Sequence, residues 1–256
     1  MASEGDKLAA RNRAVSAIAL AGFGLAVLTA LAVMLAGFGS RWGWWHFRTG
    51  FTILQWGGTA GLMAAAVSLI GAVAARPGGP RRGFVPAAAG LVIALITVGV
   101  PWQWKQTALR VPPIHDITTD TENPPAFTAI LPLRADAPNP AAYGGPEIAA
   151  QQHKGYPDLK PLILTVPPAQ AFDRALAAAR GLCWKIVDSN PAEGRIEATA
   201  TTFWFGFKDD VVVRVRPASD GGSRIDVRSV SRVGRSDVGT NARRIRDYFE
   251  KVSASS

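Results

Sequence analysis

The sequence predicts a membrane-anchored α+β protein, in which three transmembrane helices precede an antiparallel-sheet domain with helices packed on one face. The anchor is predicted because three long segments contain no charged residue, and about 20 apolar residues suffice for a helix to cross the hydrocarbon core of a bilayer. The sheet is predicted because three later segments alternate apolar and polar residues, which is typical of strands with one buried face. The expected boundaries are spans at about 14–38, 51–75 and 84–104 within an anchor over 1–105, a Pro-rich extended wrap or linker over 106–146, and an α+β domain over 147–256 to which 106–146 also belongs.

The net charge of +9 belongs mostly to the anchor. Residues 1–105 contain 9 Lys and Arg against 2 Asp and Glu, a balance of +7, whereas residues 106–256 contain 19 against 17, a balance of +2. A nucleic-acid-binding domain would be expected to carry such an excess itself. Basic residues at the ends of apolar segments instead orient a membrane protein. The charge therefore argues against nucleic acid as a partner and for the lipid bilayer.

The positions of these basic residues predict the orientation of the anchor, because cytoplasmic loops carry more Lys and Arg than external loops do. The N-terminal segment and the second loop share one side of the membrane and contain six basic residues, against four on the other side. This bias predicts a cytoplasmic N-terminus and a C-terminal domain outside. The six are Lys7, Arg11, Arg13, Arg76, Arg81 and Arg82, and the four are Arg41, Arg48, Lys105 and Arg110.

Tryptophan residues lie in the first loop, near the start of the second span and at the end of the third, which are all expected at the same membrane interface. Tryptophan rings are enriched at such interfaces, so these residues are predicted to form an aromatic belt. A Trp-lined ligand pocket is the alternative. The residues are Trp42, Trp44, Trp45, Trp56, Trp102 and Trp104.

Two further features of the spans concern their packing and their role. Gly57 and Gly61 form a GxxxG pair in the second span, and packing within the three-helix bundle is favoured over dimerisation. No span contains an ionisable residue, whereas transporters usually place some at membrane depth. The spans are therefore predicted to be an anchor rather than a transport pathway.

The Pro-rich segment over 106–146 shows no helical or strand period and is predicted to be extended over the folded part. Within it, residues 115–122 contain a histidine and three carboxylates, and Asp116, Asp120 and Glu122 are weak candidates for holding a divalent cation. The segment lacks the glycine and the spacing of an EF-hand loop. The alternative is turn chemistry, in which polar side chains cap their own backbone. No metal and no cofactor is therefore assigned.

The outer domain is predicted to contain several short elements before its central strands. Its second helix, which begins at Pro167 and Pro168, has an apolar face that reaches Cys183. Because this is the one cysteine in the chain, it forms no intrachain disulfide, and it is predicted to be a small buried hydrophobic residue. The predicted elements are a helix over 147–153, a strand over 162–166, the helix from 167 to about 181, a strand over 184–187, and a last helix over 240–252.

Three central strands, within residues 194–228, are predicted to form an antiparallel meander. One side is apolar and the other carries Arg, Glu and Asp side chains, which are predicted to be solvated, with an anionic-ligand surface as the alternative. Asp209 and Asp210 are predicted on a turn, and as neighbours in an extended chain they point to opposite sides, so they do not share a catalytic site.

The aromatic segment between the first two strands does not fit the alternation. Continuing the period of two places Phe203, Phe205 and Phe207 on the side away from the core. Three explanations stay open: a bulge near Gly206, coverage by the Pro-rich segment, or contact with lipid.

The loop before the last helix is the best candidate for a ligand site. Glycines, hydroxyl groups and two arginines precede a helix N-terminus, where free N–H groups and the helix dipole favour a phosphate, a lipid headgroup or a carboxylate. The alternative is that Asp237 or Thr240 simply caps the helix. The candidate residues are Ser231, Arg232, Gly234, Arg235, Ser236, Asp237, Thr240 and Asn241.

Four stretches of the outer domain are distinctive: VPPIHDITTDTENPPAF, YPDLKPL, GRIEATATTFWFGFKDDVVVRVR and SRIDVRSVSRVGRSDVGTNARRIR. Through these stretches the chain resembles, over about residues 106–252, the uncharacterised bacterial family called domain of unknown function 1499. The resemblance implies a bacterial source and the division into anchor and domain, and it transfers no catalytic residue.

Two functions are compatible with these features. The first is a non-enzymatic, multi-pass protein of the bacterial inner membrane, whose outer or periplasmic domain binds a lipid, cell-wall or protein partner of the envelope. The second is an enzyme that acts on an anionic envelope substrate, with the loop over 232–241 binding the anion and His115 or Asp116 providing acid–base chemistry. No nucleophile motif, HExxH motif, P-loop or dinucleotide fingerprint occurs in the sequence, which favours the first.

Overall fold

The structure, a computed structural model, describes residues 14–219 and 221–254. These residues divide into two compact units: one ends at Lys105 and also includes Trp204–Gly206, and the other contains the rest. The predicted fold class is confirmed, since three long apolar helices precede an antiparallel-sheet domain with helices. Lys7, Arg11 and Arg13, on which the predicted orientation partly depends, lie outside the described residues.

The first unit is built on three helices that are each long and apolar enough to cross a membrane. Small residues fill the space between them, and Ala26, Ala64 and Ala94 are fully buried together. Large apolar side chains such as Leu62 and Ile70 are exposed instead. Small residues inside and large ones outside are typical of helices that pack in lipid, where burying large side chains gains little. The helices are α1 (Ala17–Arg41), α2 (Phe47–Ala74) and α3 (Phe84–Arg110), of which α3 continues past Lys105 into the second unit.

The glycine pair of α2 packs inside this helical unit, as predicted. A Cβ atom at Gly57 would lie 2.5 Å from Cγ2 of Val33 in α1, and one at Gly61 would lie 2.8 Å from Cγ2 of Val98 in α3. Each glycine therefore admits a side chain from a different neighbouring helix.

The second unit contains one antiparallel sheet with the strand order β1–β6–β5–β4–β3, in which β2 also pairs with β6. The predicted meander of the three central strands is confirmed by the pairing of β4 with β5 and of β5 with β6. The strands are β1 (Asp116–Thr118), β2 (Leu162–Leu164), β3 (Lys185–Asn190), β4 (Arg195–Thr201), β5 (Lys208–Pro217) and β6 (Ser223–Ser231).

Helices cover the apolar face of this sheet. The side chains of Ile196, Val213 and Ile225 pack there against helices rich in alanine and aromatic residues. Tyr248 stacks on Trp184 at 4.9 Å between ring centroids, and its hydroxyl donates a hydrogen bond of 2.9 Å to the carbonyl oxygen of Ala175. The helices of this unit are α4 (Gly145–Gly155), α5 (Pro168–Gly181) and α6 (Thr240–Ala254).

The opposite face of the sheet is covered by residues 119–143, here called the covering segment. Phe127 and Ile130 of this segment are buried against Val212 and Val230 of the sheet. The segment is not uniformly extended, because it contains a 3-10 helix over Leu131–Arg134. Its residues meet the part of the sheet that the sequence predicts to be solvated.

The prediction of a solvated charged face is therefore wrong for most of its residues, although the side chains of Arg216 and Arg224 are 41% and 37% exposed. Glu197, Asp210, Asp226 and Arg228 are at most 2% exposed. Asp209 and Asp210 lie in β5 and not on a turn, and both are buried. Alternation predicts correctly that these two side chains point to opposite faces, since Asp209 pairs with Arg244 of α6 and Asp210 pairs with Arg134 of the covering segment.

The prediction of a buried cysteine is also wrong. The helix α5 ends at Gly181, and Cys183 follows it in a left-handed conformation with φ of 58°. The apolar period of the sequence continues past the last helical residue, so the turn moves the thiol outward, and Cys183 is exposed.

Candidate anion-binding loop and aromatic cluster

The arginine of the candidate loop that lies next to the sheet is already paired. Arg232 donates two hydrogen bonds to the carboxylate of Asp210, at 2.8 and 2.9 Å. A third goes to the carbonyl oxygen of Leu133, at 2.7 Å. Asp210 also accepts hydrogen bonds from Arg134 and Thr199. Arg232 thus links the loop to the sheet and to the covering segment.

The N-terminus of α6 is occupied by a carboxylate from the same loop. Asp237 accepts hydrogen bonds from the backbone N–H groups of Gly239, at 2.9 Å, and of Asn241, at 2.6 Å. Burial raises the pKa of the Asp237 carboxyl above its usual value, while the two N–H groups oppose that rise. The anion expected at this helix end is therefore supplied by the chain itself, in the capping arrangement.

A buried polar network fixes the rest of the loop to the apolar face of the sheet. The amide of Asn241 donates to the carbonyl oxygen of His115 and to Oγ of Ser231, both at 3.0 Å, and accepts from Oγ of Ser229 at 2.7 Å. Arg244 donates to the same amide and forms an ion pair of 2.5 Å with Asp209. Since Ser231 and Asn241 are both buried, they have a structural role here.

The remaining candidates lie on the outer side of the loop. Gly234 and Arg235 are exposed, and Ser236 accepts a hydrogen bond of 3.1 Å from the N–H group of Val238. Gly234 adopts φ of 95°, and its carbonyl oxygen accepts from the amide of Asn139 at 2.9 Å. Arg235 is therefore the arginine of the loop that stands at the surface.

The structure does not bring the proposed acid–base residues to one place. The ring of His115 lies 3.4 Å from the carbonyl oxygen of Arg235, beside the candidate loop. The carboxylate of Asp116 lies on the other face of the sheet, where it forms two hydrogen bonds of 2.9 and 2.7 Å with buried Arg228. Both carboxylate oxygens of Asp116 are thus hydrogen-bonded to Arg228.

The weak metal candidates are also arranged around arginines. Asp120 accepts hydrogen bonds from Arg214 at 3.1 Å and from Arg224 at 2.9 Å, and Glu122 is exposed. Within residues 14–219 and 221–254, no group of three or more His, Cys, Asp or Glu side chains is placed to hold a metal ion. Guanidinium groups occupy the positions where a cation would be needed.

The carboxylate of Glu197 in β4 holds the covering segment against the sheet. It accepts hydrogen bonds from the backbone N–H groups of Thr128 at 2.8 Å, Ala129 at 3.2 Å and Ile130 at 2.9 Å, and it also pairs with Arg195. The strand alternation predicts that Glu197 is exposed to solvent. The signal that could have shown otherwise is the long Pro-rich segment, which needs partners for its own backbone groups.

An aromatic cluster of the helical unit contains two residues that the predicted belt did not include. Trp204 donates a hydrogen bond of 2.9 Å from Nε1 to the carbonyl oxygen of Met34, and its ring meets that of Trp104 edge-on at 5.2 Å. Phe205 is buried and lies 5.1 Å from the ring of Phe51. The central residues of the segment that does not fit the strand alternation, Trp204–Gly206, thus belong to the helical unit.

Trp42, Trp44 and Trp45 of the predicted belt lie between α1 and α2, whereas Trp56 lies within α2 and Trp102 and Trp104 lie within α3. Trp42, Trp44 and Trp45 form a chain of ring contacts, with centroid distances of 4.9 and 6.1 Å. Trp45 donates a hydrogen bond of 3.2 Å to the carbonyl oxygen of Ala36. Within the described residues, the more exposed rings are those of Trp42, Trp44, Trp56, Trp102 and Trp104.

These features define a class of protein, with three helices capable of spanning a membrane and a separate α+β unit. The chain belongs to the family described as protein of unknown function (DUF1499), whose model matches residues 116–252, more than half of the sequence. The resemblance predicted from the sequence is thereby confirmed. No curated protein and no solved structure matches the chain significantly.

Proposed function

We propose that this is an integral membrane protein of the bacterial inner membrane, with its N-terminus in the cytoplasm and its C-terminal domain outside. The outer domain acts as a non-enzymatic binding or structural module for a lipid, cell-wall or protein partner of the envelope. Support for the location comes from the three apolar helices and from the six basic residues on one side of them against four on the other.

One observation carries the non-enzymatic part of the proposal. Three of the residues on which an enzyme interpretation depends hold the fold: Arg232 pairs with Asp210, Asp116 pairs with Arg228, and Asp237 caps α6. Their hydrogen-bonding groups are thus engaged with other residues of the chain. The exposed Arg235 is the loop residue best placed to meet an anionic partner.

Substituting the two arginines separately tests this assignment. We expect Arg232→Ala to lower the thermal midpoint of unfolding, because it leaves buried Asp210 with one arginine partner fewer, and Arg235→Ala to leave that midpoint unchanged. The measurement is thermal unfolding of the full-length protein in detergent micelles, with and without inorganic phosphate. A phosphate-dependent stabilisation that the wild type shows and Arg235→Ala lacks would identify Arg235 as an anion-binding residue, whereas an unchanged midpoint in Arg232→Ala would contradict the structural role of Arg232.

The single cysteine tests the proposed orientation. Because Cys183 is exposed on the second unit, we expect a membrane-impermeant maleimide to label it in intact spheroplasts to the same extent as in detergent-solubilised protein. A Cys183→Ser variant is the control for labelling elsewhere. Labelling that requires permeabilised membranes would place the domain in the cytoplasm and contradict the proposed topology.

A further inference from the structure

We infer that the loop joining β4 to β5, residues Phe203–Phe207, is a membrane-interface element whose outer rings contact lipid. The inference rests on the proposed membrane location and names the bilayer as the partner of this loop. Its central residues, Trp204–Gly206, belong to the helical unit although they are far from it in sequence. Three observations support contact with lipid: glycines of the helical unit make room for the rings of Trp204 and Phe205, Trp204 bonds to α1 at Met34, and Phe203 is exposed.

Two glycines of the helical unit leave space for the rings of Trp204 and Phe205. A Cβ atom at Gly37 of α1 would lie 2.2 Å from Cδ1 of Trp204, a separation that real Cβ atoms do not show. A Cβ atom at Gly50 of α2 would lie 2.8 Å from Cε1 of Phe205 and 2.4 Å from the carbonyl oxygen of Ala36. Glycine at these two positions lets the rings approach the helix backbones, so the loop packs as part of the bundle.

The hydrogen bond of Trp204 sets the level of the loop. Its acceptor is Met34, which lies seven residues before the end of α1 at Arg41. With a rise of about 1.5 Å per residue, this places the indole N–H about 10 Å along the helix from its end. The side chains of Met34 and Leu35 at this level are themselves exposed and apolar, as expected for residues that face lipid. The indole therefore lies beside the lipid-facing part of the span.

The first ring of the loop, that of Phe203, is largely exposed. Phe203 is 79% exposed, and its Cα atom is joined to that of Trp204 across one peptide, a distance of about 3.8 Å. A phenylalanine so exposed would be unfavourable in water and is favourable at a bilayer interface. Lys208, which is exposed at the other end of the loop, suits the phosphate groups of the headgroups.

Backbone geometry presents these rings together. Thr202 and Phe207 close the loop, since the N–H group of Thr202 donates to the carbonyl oxygen of Phe207 at 2.8 Å and Oγ1 of Thr202 accepts from the N–H group of Phe207 at 2.9 Å. Gly206 takes φ of 70° between them. The closure leaves residues 203–206 at the tip of the loop, where Phe203 is exposed and Phe205 is buried.

A spin label at position 203 of the full-length protein tests the inference. The variant Phe203→Cys is made in a Cys183→Ser background, labelled with a nitroxide and reconstituted in phosphatidylcholine–phosphatidylglycerol vesicles. Collision with oxygen, which concentrates in lipid, is compared with collision with a water-soluble nickel chelate. The matched control is Ile163→Cys, because Ile163 is also an exposed apolar residue and pairs with Arg224, at the end of β6 remote from the loop.

We expect a ratio of oxygen to nickel collision several-fold higher at 203 than at 163. A second variant, Gly37→Val, is expected to lower the ratio at 203 by displacing the Trp204 ring, whereas Gly24→Val on the same helix leaves it unchanged because no atom lies within 4 Å of a Cβ at that position. Equal ratios at 203 and 163 would overturn the inference. Low collision with both reagents at 203 would also overturn it, by showing that a protein partner or a second copy covers the ring.

Flotation of the same vesicles separates this inference from the proposal on which it rests. If the full-length protein does not float with the vesicles after an alkaline wash, the membrane location itself fails. If the protein floats and position 203 collides mainly with nickel, the location stands and the loop does not contact lipid.

Discussion

Replacing Arg228 by alanine is expected to lower the free energy of unfolding by about 3–5 kcal/mol, the usual effect of removing one partner from a buried ion pair. Arg228 is 2% exposed and forms two hydrogen bonds with Asp116. Its guanidinium group also donates to the carbonyl oxygens of Pro125 and Ala141 and lies 5.3 Å from the ring centre of Phe127. The variant leaves the buried carboxylate of Asp116 without its arginine partner. It also removes the hydrogen bonds from Arg228 to Pro125 and Ala141 of the covering segment.

Urea-induced unfolding of the full-length protein in detergent micelles, followed by circular dichroism, measures this loss. The matched control is Arg246→Ala, because Arg246 also forms two hydrogen bonds with an aspartate, Asp158, but both side chains are at least 40% exposed. Exposed pairs contribute about 0–1 kcal/mol, so the control is expected to change little. Similar losses in the two variants would show that burial of the Arg228 pair is not what makes it important.

The double variant with Asp116→Ala and Arg228→Ala refines this prediction. Once both charges are gone, no uncompensated ion remains buried, so the double variant is expected to be more stable than the sum of the two single losses predicts. Additive losses would mean that the two side chains act independently, in conflict with their contact distance of 2.7 Å.

Replacing Glu197 by glutamine is expected to lower the free energy of unfolding by about 3 kcal/mol, because hydrogen bonds to a charged group contribute about 1.5–3 kcal/mol each. The carboxylate accepts from three consecutive backbone N–H groups, those of Thr128, Ala129 and Ile130, and from Arg195. An amide has the same shape but one acceptor atom fewer. The middle of the covering segment therefore loses its partner on the sheet.

Hydrogen exchange measured by mass spectrometry shows both how large the loss of stability in Glu197→Gln is and where in the chain it occurs. Peptides from residues 119–143 are expected to exchange faster in Glu197→Gln, while those from α5 and α6 on the opposite face keep their protection. The control is Glu193→Gln, since Glu193 pairs with the same arginine but is 58% exposed. Exposed substitutions of this kind usually change stability by less than about 0.5 kcal/mol. Faster exchange throughout the domain would show that Glu197 supports the whole fold rather than the covering segment.

The elements with a strong local pattern are the ones that the sequence predicts well. The three long apolar helices, the meander of β4, β5 and β6, and the last helix are all found, and the helix predicted over 240–252 is observed as Thr240–Ala254. Their hydrophobic periods are set by neighbouring residues along the chain, so no knowledge of distant partners is needed. Predicted ends are less secure: the third span continues to Arg110, and the strand predicted over 162–166 contains Leu162–Leu164.

The candidate loop shows where prediction from the sequence stops. Its composition indicates either a helix N-terminus that binds an external anion or one that a residue of the loop caps. The anion in the structure is the carboxylate of Asp237, and Arg232 is turned toward Asp210, which is 22 residues earlier in the chain. Loop composition shows which chemical groups are available, while the partner of each group depends on which distant segments the fold brings to it.

The sequence by itself determined that this protein has three apolar spans, an antiparallel meander and an amphipathic last helix, because each of these is a repeating pattern of local burial. Only the tertiary structure decided that the charged side of the sheet is covered and that the ring of Phe205 packs against glycine in α2. The physical reason is the same in both cases. Residues 119–143 and 203–207 have no period of their own, and their positions are fixed by hydrogen bonds, ion pairs and ring contacts with residues far away in the sequence.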